Sequence, residues 1–307
     1  MTTSKRRTFK LFTTLLKLLR MRSNDIILEY YDVSVYKADF DNLRDDQWFN
    51  DNNLTFWYEY LERSEVYASM EHPEDIILLR PSMVFLLAQS TNPLDLKGVL
   101  PPLNSTRFIF LPINNNADVD LAEGGSHWSL LVVDTKKKTG YYYDTLEDIN
   151  VQEAEIVAKK LAKLLECAKL TLYSMPTPQQ TNGSDCGVMV CMLTSHVLQK
   201  IVDSESSGDL DMHIAENAIS PSRGRQLMSY TILELISKYG RKVGENKDIE
   251  ISPTGKKGDQ SISSGESYET TETTEETTET AELDESSGES SGDSAVQIPV
   301  KIRTTHH

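Results

Sequence analysis

Four residues in this 307-residue chain have the types and spacing for nucleophilic catalysis. Cys186 stands in "QQTNGSDCGV", after a run of turn-forming residues and directly before an apolar segment. A thiol at a helix N-terminus meets unpaired N–H groups and the positive end of the helix dipole, which favour the thiolate. Gly187 beside it allows close approach of another chain segment. Such a nucleophile needs a base, a group that orients the base, and donors for the oxyanion. His127 in "EGGSHWSLLVVD" suits the base: it precedes an apolar strand, and Gly124 and Gly125 clear space beside it. The strand from Trp128 turns through "DTKKKT" and returns as Gly140–Asp144, so an antiparallel hairpin sets Asp144 beside His127 across 17 residues of sequence. Asp134, at the turn end, is about 20 Å away by strand rise. The Cys186 N–H is one oxyanion donor. A side-chain amide from Gln180 or Gln179 is the other, and spacing alone does not choose between them. His72 and His213 in polar loops, His196 in the apolar segment and His306 and His307 in the tail read as surface or core histidines. Cys167 and Cys191 read as small hydrophobes.

The elements that must hold these groups are legible from periodicity. Leu54, Trp57, Tyr58 and Leu61 recur at helical spacing after a polar turn, and Pro81 starts a short helix to Ala88. "FIFLPIN" at Phe108–Asn114, "HWSLLVVD", "TGYYYD" and "LTLYSMP" read as strands, with an amphipathic helix in "NVQEAEIVAKKLAKLLECAK". "GVMVCMLTSHVLQKIV" is apolar nearly all round, which predicts a buried central helix led by Cys186. "SRGRQLMSYTILELISKYGRK" predicts a last amphipathic helix stopped by Gly240. The expected fold class is α+β: a small, mostly antiparallel sheet packed with helices, over residues 24–243.

Net charge is -16 and uneven. Residues 1–23 carry seven Lys/Arg and no acid, and residues 245–307 carry 15 acids against 5 bases, which leaves -13 for the middle. That balance argues against nucleic acid and for basic partners. The basic extension 1–23 is helix-periodic (Phe9, Leu11, Phe12, Leu15, Leu16, Leu18, Leu19), a pattern that suits a membrane-surface helix, a mitochondrial targeting segment or a basic tail. Residues 244–307 are rich in Ser, Thr and Glu and are expected to be disordered. No run of 18 apolar residues spans a membrane. Three cysteines are too few for a disulfide framework and point to cytoplasm or nucleus. No metal or cofactor is expected, and the chain is read as a monomer.

His127-Trp128, Asp144 and "QQTNGSDCG" resemble the ubiquitin-like-specific, or sentrin-specific, cysteine proteases, whose order is His, Asp, Gln, Cys. The likeness runs from about Asp25 to Arg241. "WFNDNNLTFWYEY" resembles that family's Trp-x-Asn-Asp helix start, and "GGSHWSLLVVD" after "FLPINNN" looks most like the branch that removes the Nedd/Rub modifier. The resemblance implies a triad of Cys186, His127 and Asp144, and implies Gln180 rather than Gln179 at the oxyanion. It implies that Trp48 and Trp128 confine a modifier's Gly-Gly tail and that Asp51 contacts it. Without the resemblance both tryptophans would read as core aromatics. Two departures, Asn52-Asn53 at the helix start and Ser184 where tyrosine is common, bear on the choice of modifier. Nedd and ubiquitin tails end Arg-Gly-Gly and suit an acidic domain better than SUMO does. The implied function is hydrolysis after a modifier's Gly-Gly end. A SUMO-specific protease and an inactive module that binds a ubiquitin-like protein are the alternatives.

Overall fold

The computed structural model describes residues 3–118, 124–207 and 210–243. The acidic tail read at 244–307 lies outside the described residues. In chain order the elements are α1 (Thr3–Leu18), β1 (Ile26–Tyr30), β2 (Val33–Tyr36), α2 (Lys37–Asp41), α3 (Asp51–Leu61), α4 (Tyr67–Ser69), β3 (Ile76–Leu78), α5 (Pro81–Gln89), β4 (Phe108–Asn114), β5 (Trp128–Asp134), β6 (Thr139–Tyr143), α6 (Val151–Leu164), β7 (Thr171–Ser174), α7 (Cys186–Ser207), α8 (Pro221–Tyr239) and β8 (Lys242–Val243). A π-helical turn, Glu62–Val66, joins α3 to α4.

Five strands form the main sheet in the order β3-β4-β5-β6-β7. The α+β expectation holds, but the sheet is mixed rather than mostly antiparallel. β4, β5 and β6 pair antiparallel at the centre, while β3 and β7 run parallel to their neighbours at the two edges. The cause is connectivity: α5 crosses over between β3 and β4, α6 crosses over between β6 and β7, and a crossover permits parallel pairing.

All seven residues of β5 are buried, so its sequence is a near-continuous apolar run with two inward faces. Leu130 and Val132 pack in one core cluster with Val188, Val190 and Leu193 of α7 and with Leu54 and Tyr58 of α3. Leu131 and Val133 pack in the other, with Leu87 of α5 and with Val157 and Leu161 of α6. The sheet is thus covered on both sides. The polar groups in the first layer are partnered: Trp57 Nε1 donates to Ser195 Oγ (2.9 Å), and Tyr58 shares a hydrogen bond with Thr194 (3.1 Å). By length and hydropathy α7 could cross a membrane, yet 61% of its apolar window is buried in this core.

A second sheet, β2-β1-β8, joins the chain's early and late segments, with β1 and β8 parallel. Helix α1, from the basic extension, carries Leu18 into the first core cluster at 4% exposure.

Candidate active site

The hairpin β5–β6 brings His127 and Asp144 together as its geometry requires. His127 Nε2 lies 2.5 Å from Asp144 Oδ1, and both side chains are buried. The carboxylate accepts three further hydrogen bonds: Tyr142 Oη to Oδ2 (2.6 Å), Leu146 N to Oδ1 (2.9 Å) and Asn150 N to Oδ2 (3.1 Å). Burial pushes the carboxyl's pKa up; the bonds from His127, Tyr142 and Asn150 outweigh it and hold the pKa below the usual range. For His127, burial pushes down, but the hydrogen bond to Asp144 and the influence of Asp144 and Cys186 win, and the pKa rises to about 9. The second ring nitrogen, Nδ1, is buried and makes no hydrogen bond. The ring is therefore fixed by Asp144 through one nitrogen and left with the other for the thiol.

Cys186 is the first residue of α7 and 4% exposed. The turn before it is closed by Asn182, whose Oδ1 accepts from Ser184 N (3.0 Å) and Asp185 N (3.0 Å), while its Nδ2 donates to Asp185 Oδ2 (2.9 Å). Ser184 also donates its hydroxyl to this Asn182 oxygen (3.2 Å). At Gly187 an added Cβ would sit 2.6 Å from Phe49 Cβ. Only glycine allows the segment bearing Trp48 and Phe49 to lie on the first turn of α7.

The two glutamines differ in what their amides already do. Gln179 uses its Nε2 on two carbonyls, Asp144 O (3.0 Å) and Thr177 O (2.9 Å). Gln180 accepts from Thr145 Oγ1 (2.7 Å) and donates Nε2 to Asn182 O (2.7 Å). A primary amide has two N–H donors, so Gln180 keeps one for a ligand and Gln179 keeps none.

Trp128 is buried, and its Nε1 donates to Phe49 O (3.2 Å). Trp48 is 52% exposed, unlike a core aromatic. Asp51 opens α3, and it lines a cleft of about 420 Å³ together with Asn114 and Trp128. A larger cleft, about 860 Å³, lies along Asp144, Gln179, Gln180 and Asp185.

The polar helix start at Asn52-Asn53 has a structural role. Asn50 and Asn53 cap α3 reciprocally (3.0 and 3.1 Å). Asn52 Nδ2 donates to Ser34 O (2.8 Å) and Asp39 Oδ2 (2.6 Å), and Asn53 Nδ2 donates to Asp39 O (2.8 Å). Two positioning residues were not legible in sequence. Asn150 occupies the N-cap of α6, yet its side chain does not cap the helix; Nδ2 donates to His127 O (3.0 Å) instead. Arg225 of α8 is 2% exposed. It pairs with Asp185 (2.8 Å) and donates to Arg44 O (2.8 Å), Gln47 O (2.9 Å) and Ser184 O (3.1 Å). It ties the Trp48 segment to the Cys186 turn. In sequence it is one base among several on an amphipathic helix.

The profile of the Ulp1 protease family's C-terminal catalytic domain matches residues 47–221, more than half of the chain. The chain belongs to the Ulp1 protease family. Similar relatives of this Ulp1-family chain include NEDD8-specific protease 2 of Schizosaccharomyces pombe, 37% identical over 74% of this chain and 55% of the relative. NEDD8-specific protease 1 of the same yeast is 31% identical over 76% of this chain and 56% of the relative. The chain thus spans about half the length of these two curated relatives. The yeast Ulp1 protease domain, solved in complex with Smt3, the yeast ortholog of SUMO, shares the fold: its TM-score is 0.55 at 22% identity, over 75% of this chain and 96% of that one. Among the described residues no group of three His, Cys, Asp or Glu is placed to hold a metal.

Proposed function

We propose that this Ulp1-family protein is a thiol peptidase that hydrolyses the bond after the Gly-Gly end of a ubiquitin-like modifier, Nedd/Rub above others, from precursors or conjugates. The observation that carries the chemistry is the buried His127–Asp144 pair beside a thiol at a helix N-terminus.

With the proton already held on the His127 imidazolium, the Cys186 sulfur attacks the C-terminal glycine carbonyl as the thiolate. The Cys186 N–H and the remaining Gln180 amide proton receive the oxyanion. Collapse forms a thioester as His127 returns its proton to the leaving amine. Water, deprotonated by the same imidazole, then attacks the thioester and restores the thiol. Asp144 keeps the imidazole oriented throughout.

The cleft that holds Asp51 and Trp128 suits an Arg-bearing Gly-Gly tail, and exposed Trp48 stands free to cover it. The names of the two fission-yeast relatives support Nedd over SUMO. We read residues 24–243 as the catalytic unit, working as a monomer in a reducing compartment, cytoplasm or nucleus, where its three free thiols persist.

Nedd, SUMO and ubiquitin carrying a C-terminal fluorogenic amide test this directly. Release is expected fastest from Nedd and absent in Cys186→Ala. Fastest release from SUMO would keep the mechanism and reverse the modifier. Equal release by Cys186→Ala would overturn the mechanism. Binding of Nedd without any release would favour an inactive binding module.

A further inference from the structure

The basic helix α1 is not absorbed by this chemistry. Leu18 and Leu11 turn toward the core, and Arg7 pairs with Glu234 of α8 and lies over the Tyr230 ring at 5.8 Å. The opposite side stays apolar and open. Phe9 (62%), Phe12 (57%), Leu16 (44%) and Leu19 just beyond (59%) are exposed. At 100° per residue they share an arc of about 80°, which forms a ridge, not a groove.

Beside that ridge, between α1 and α8, lies a cavity of about 390 Å³. Lys10, Lys17 and Arg241 line it with the hydroxyl residues Thr13, Thr14 and Ser237, and no acid lines it. Lys10 and Lys17 form no ion pair among the described residues. In a chain of net charge -16, a cavity with three cations and no carboxylate is set apart for an anion.

We propose that this face docks on an anionic phospholipid surface, with the apolar ridge entering the acyl boundary and one lipid phosphate seated among Lys10, Lys17 and Arg241. The ridge and the cavity are separate features on one helix, and an anionic bilayer satisfies both. A protein partner would match a convex ridge poorly, and the chain's own Ser/Thr/Glu-rich stretch at 261–294 has only Ile262, Tyr268, Ala281 and Leu283 to cover it. The acidic remainder of the protein would be repelled from the lipid, which orients this face toward it.

The test is flotation of the full chain with phosphatidylcholine vesicles, with and without phosphatidylserine. Two variants run in parallel: Phe9→Ser with Phe12→Ser, and Lys10→Glu with Lys17→Glu. Circular dichroism and the thermal transition check that each variant is folded. The expected result is binding to serine-lipid vesicles alone, reduced at least about tenfold in each double variant. The proposal is overturned by no vesicle binding by wild type, by undiminished binding by folded Phe9/Phe12 variants, or by binding of inorganic phosphate by calorimetry without vesicle binding. Sedimentation of the wild type as a ridge-dependent dimer that ignores vesicles would overturn it in favour of self-association.

Discussion

At the scale of residues, the site is a set of shared hydrogen bonds that decides one protonation state. Asp144, together with Cys186, raises the imidazole's pKa to about 9 against the burial that opposes it. The charged ring therefore persists through neutral pH and is lost as pH passes about 9. We expect kcat/KM to fall on the alkaline side with an apparent pKa near that value. Asp144→Asn removes the negative charge and should move that limb down toward about 6.5; a limb that stays put would deny Asp144 its role. Asn150→Ala leaves the reacting groups in place and loosens the His127 backbone. It should lower kcat more than it raises KM, measured by steady-state kinetics on a Nedd amide. His127 and Asp144 were legible because a hairpin of known turn length fixes which residues meet. Asn150 was not, because a helix cap and a clamp on a distant carbonyl look the same in sequence.

At the scale of elements, the segment carrying Trp48 is held from two sides. Asp39 accepts from Tyr36 N (2.8 Å), Asn50 Nδ2 (3.0 Å) and Asn52 Nδ2 (2.6 Å), and it is 4% exposed. Arg225 grips the preceding carbonyls from α8. Removing the guanidinium leaves Asp185 with an unpaired carboxylate and several carbonyls without donors. Arg225→Met should therefore lower stability by about 3–5 kcal/mol in a denaturant titration. Arg225→Lys should recover part of this and not all, since an ammonium cannot fork across the carbonyls of Asn42, Arg44, Gln47 and Ser184 and the Asp185 carboxylate. The helices and central strands followed from periodicity: Pro81–Gln89 and Phe108–Asn114 lie where the pattern puts them. Gly240 ends α8 at φ +80, as a glycine stop should. The edge strands Ile76–Leu78 and Lys242–Val243 were not legible, because two or three residues carry no period. They exist through their neighbours, and the parallel edges follow from the crossovers rather than from any local signal.

At the scale of the whole molecule, charge is sorted along the chain: a basic helix, an acidic domain of net -13 and an acidic end of net -10. If an Arg-bearing tail is drawn in by that domain, kcat/KM should fall as salt rises from about 0.01 to 0.15 M, while kcat at saturation stays level. A salt-independent kcat/KM would remove charge from the account of modifier choice. The clamp made by Arg225 has one more consequence. Cys186, Gln180, Asp144 and His127 all precede it, and the family's matched segment stops at residue 221. A chain halted there during synthesis would own every reacting atom and lack the arginine that gathers them. On the proposed function, proteolytic competence would thus wait for α8, and a chain halted before it would be a harmless one.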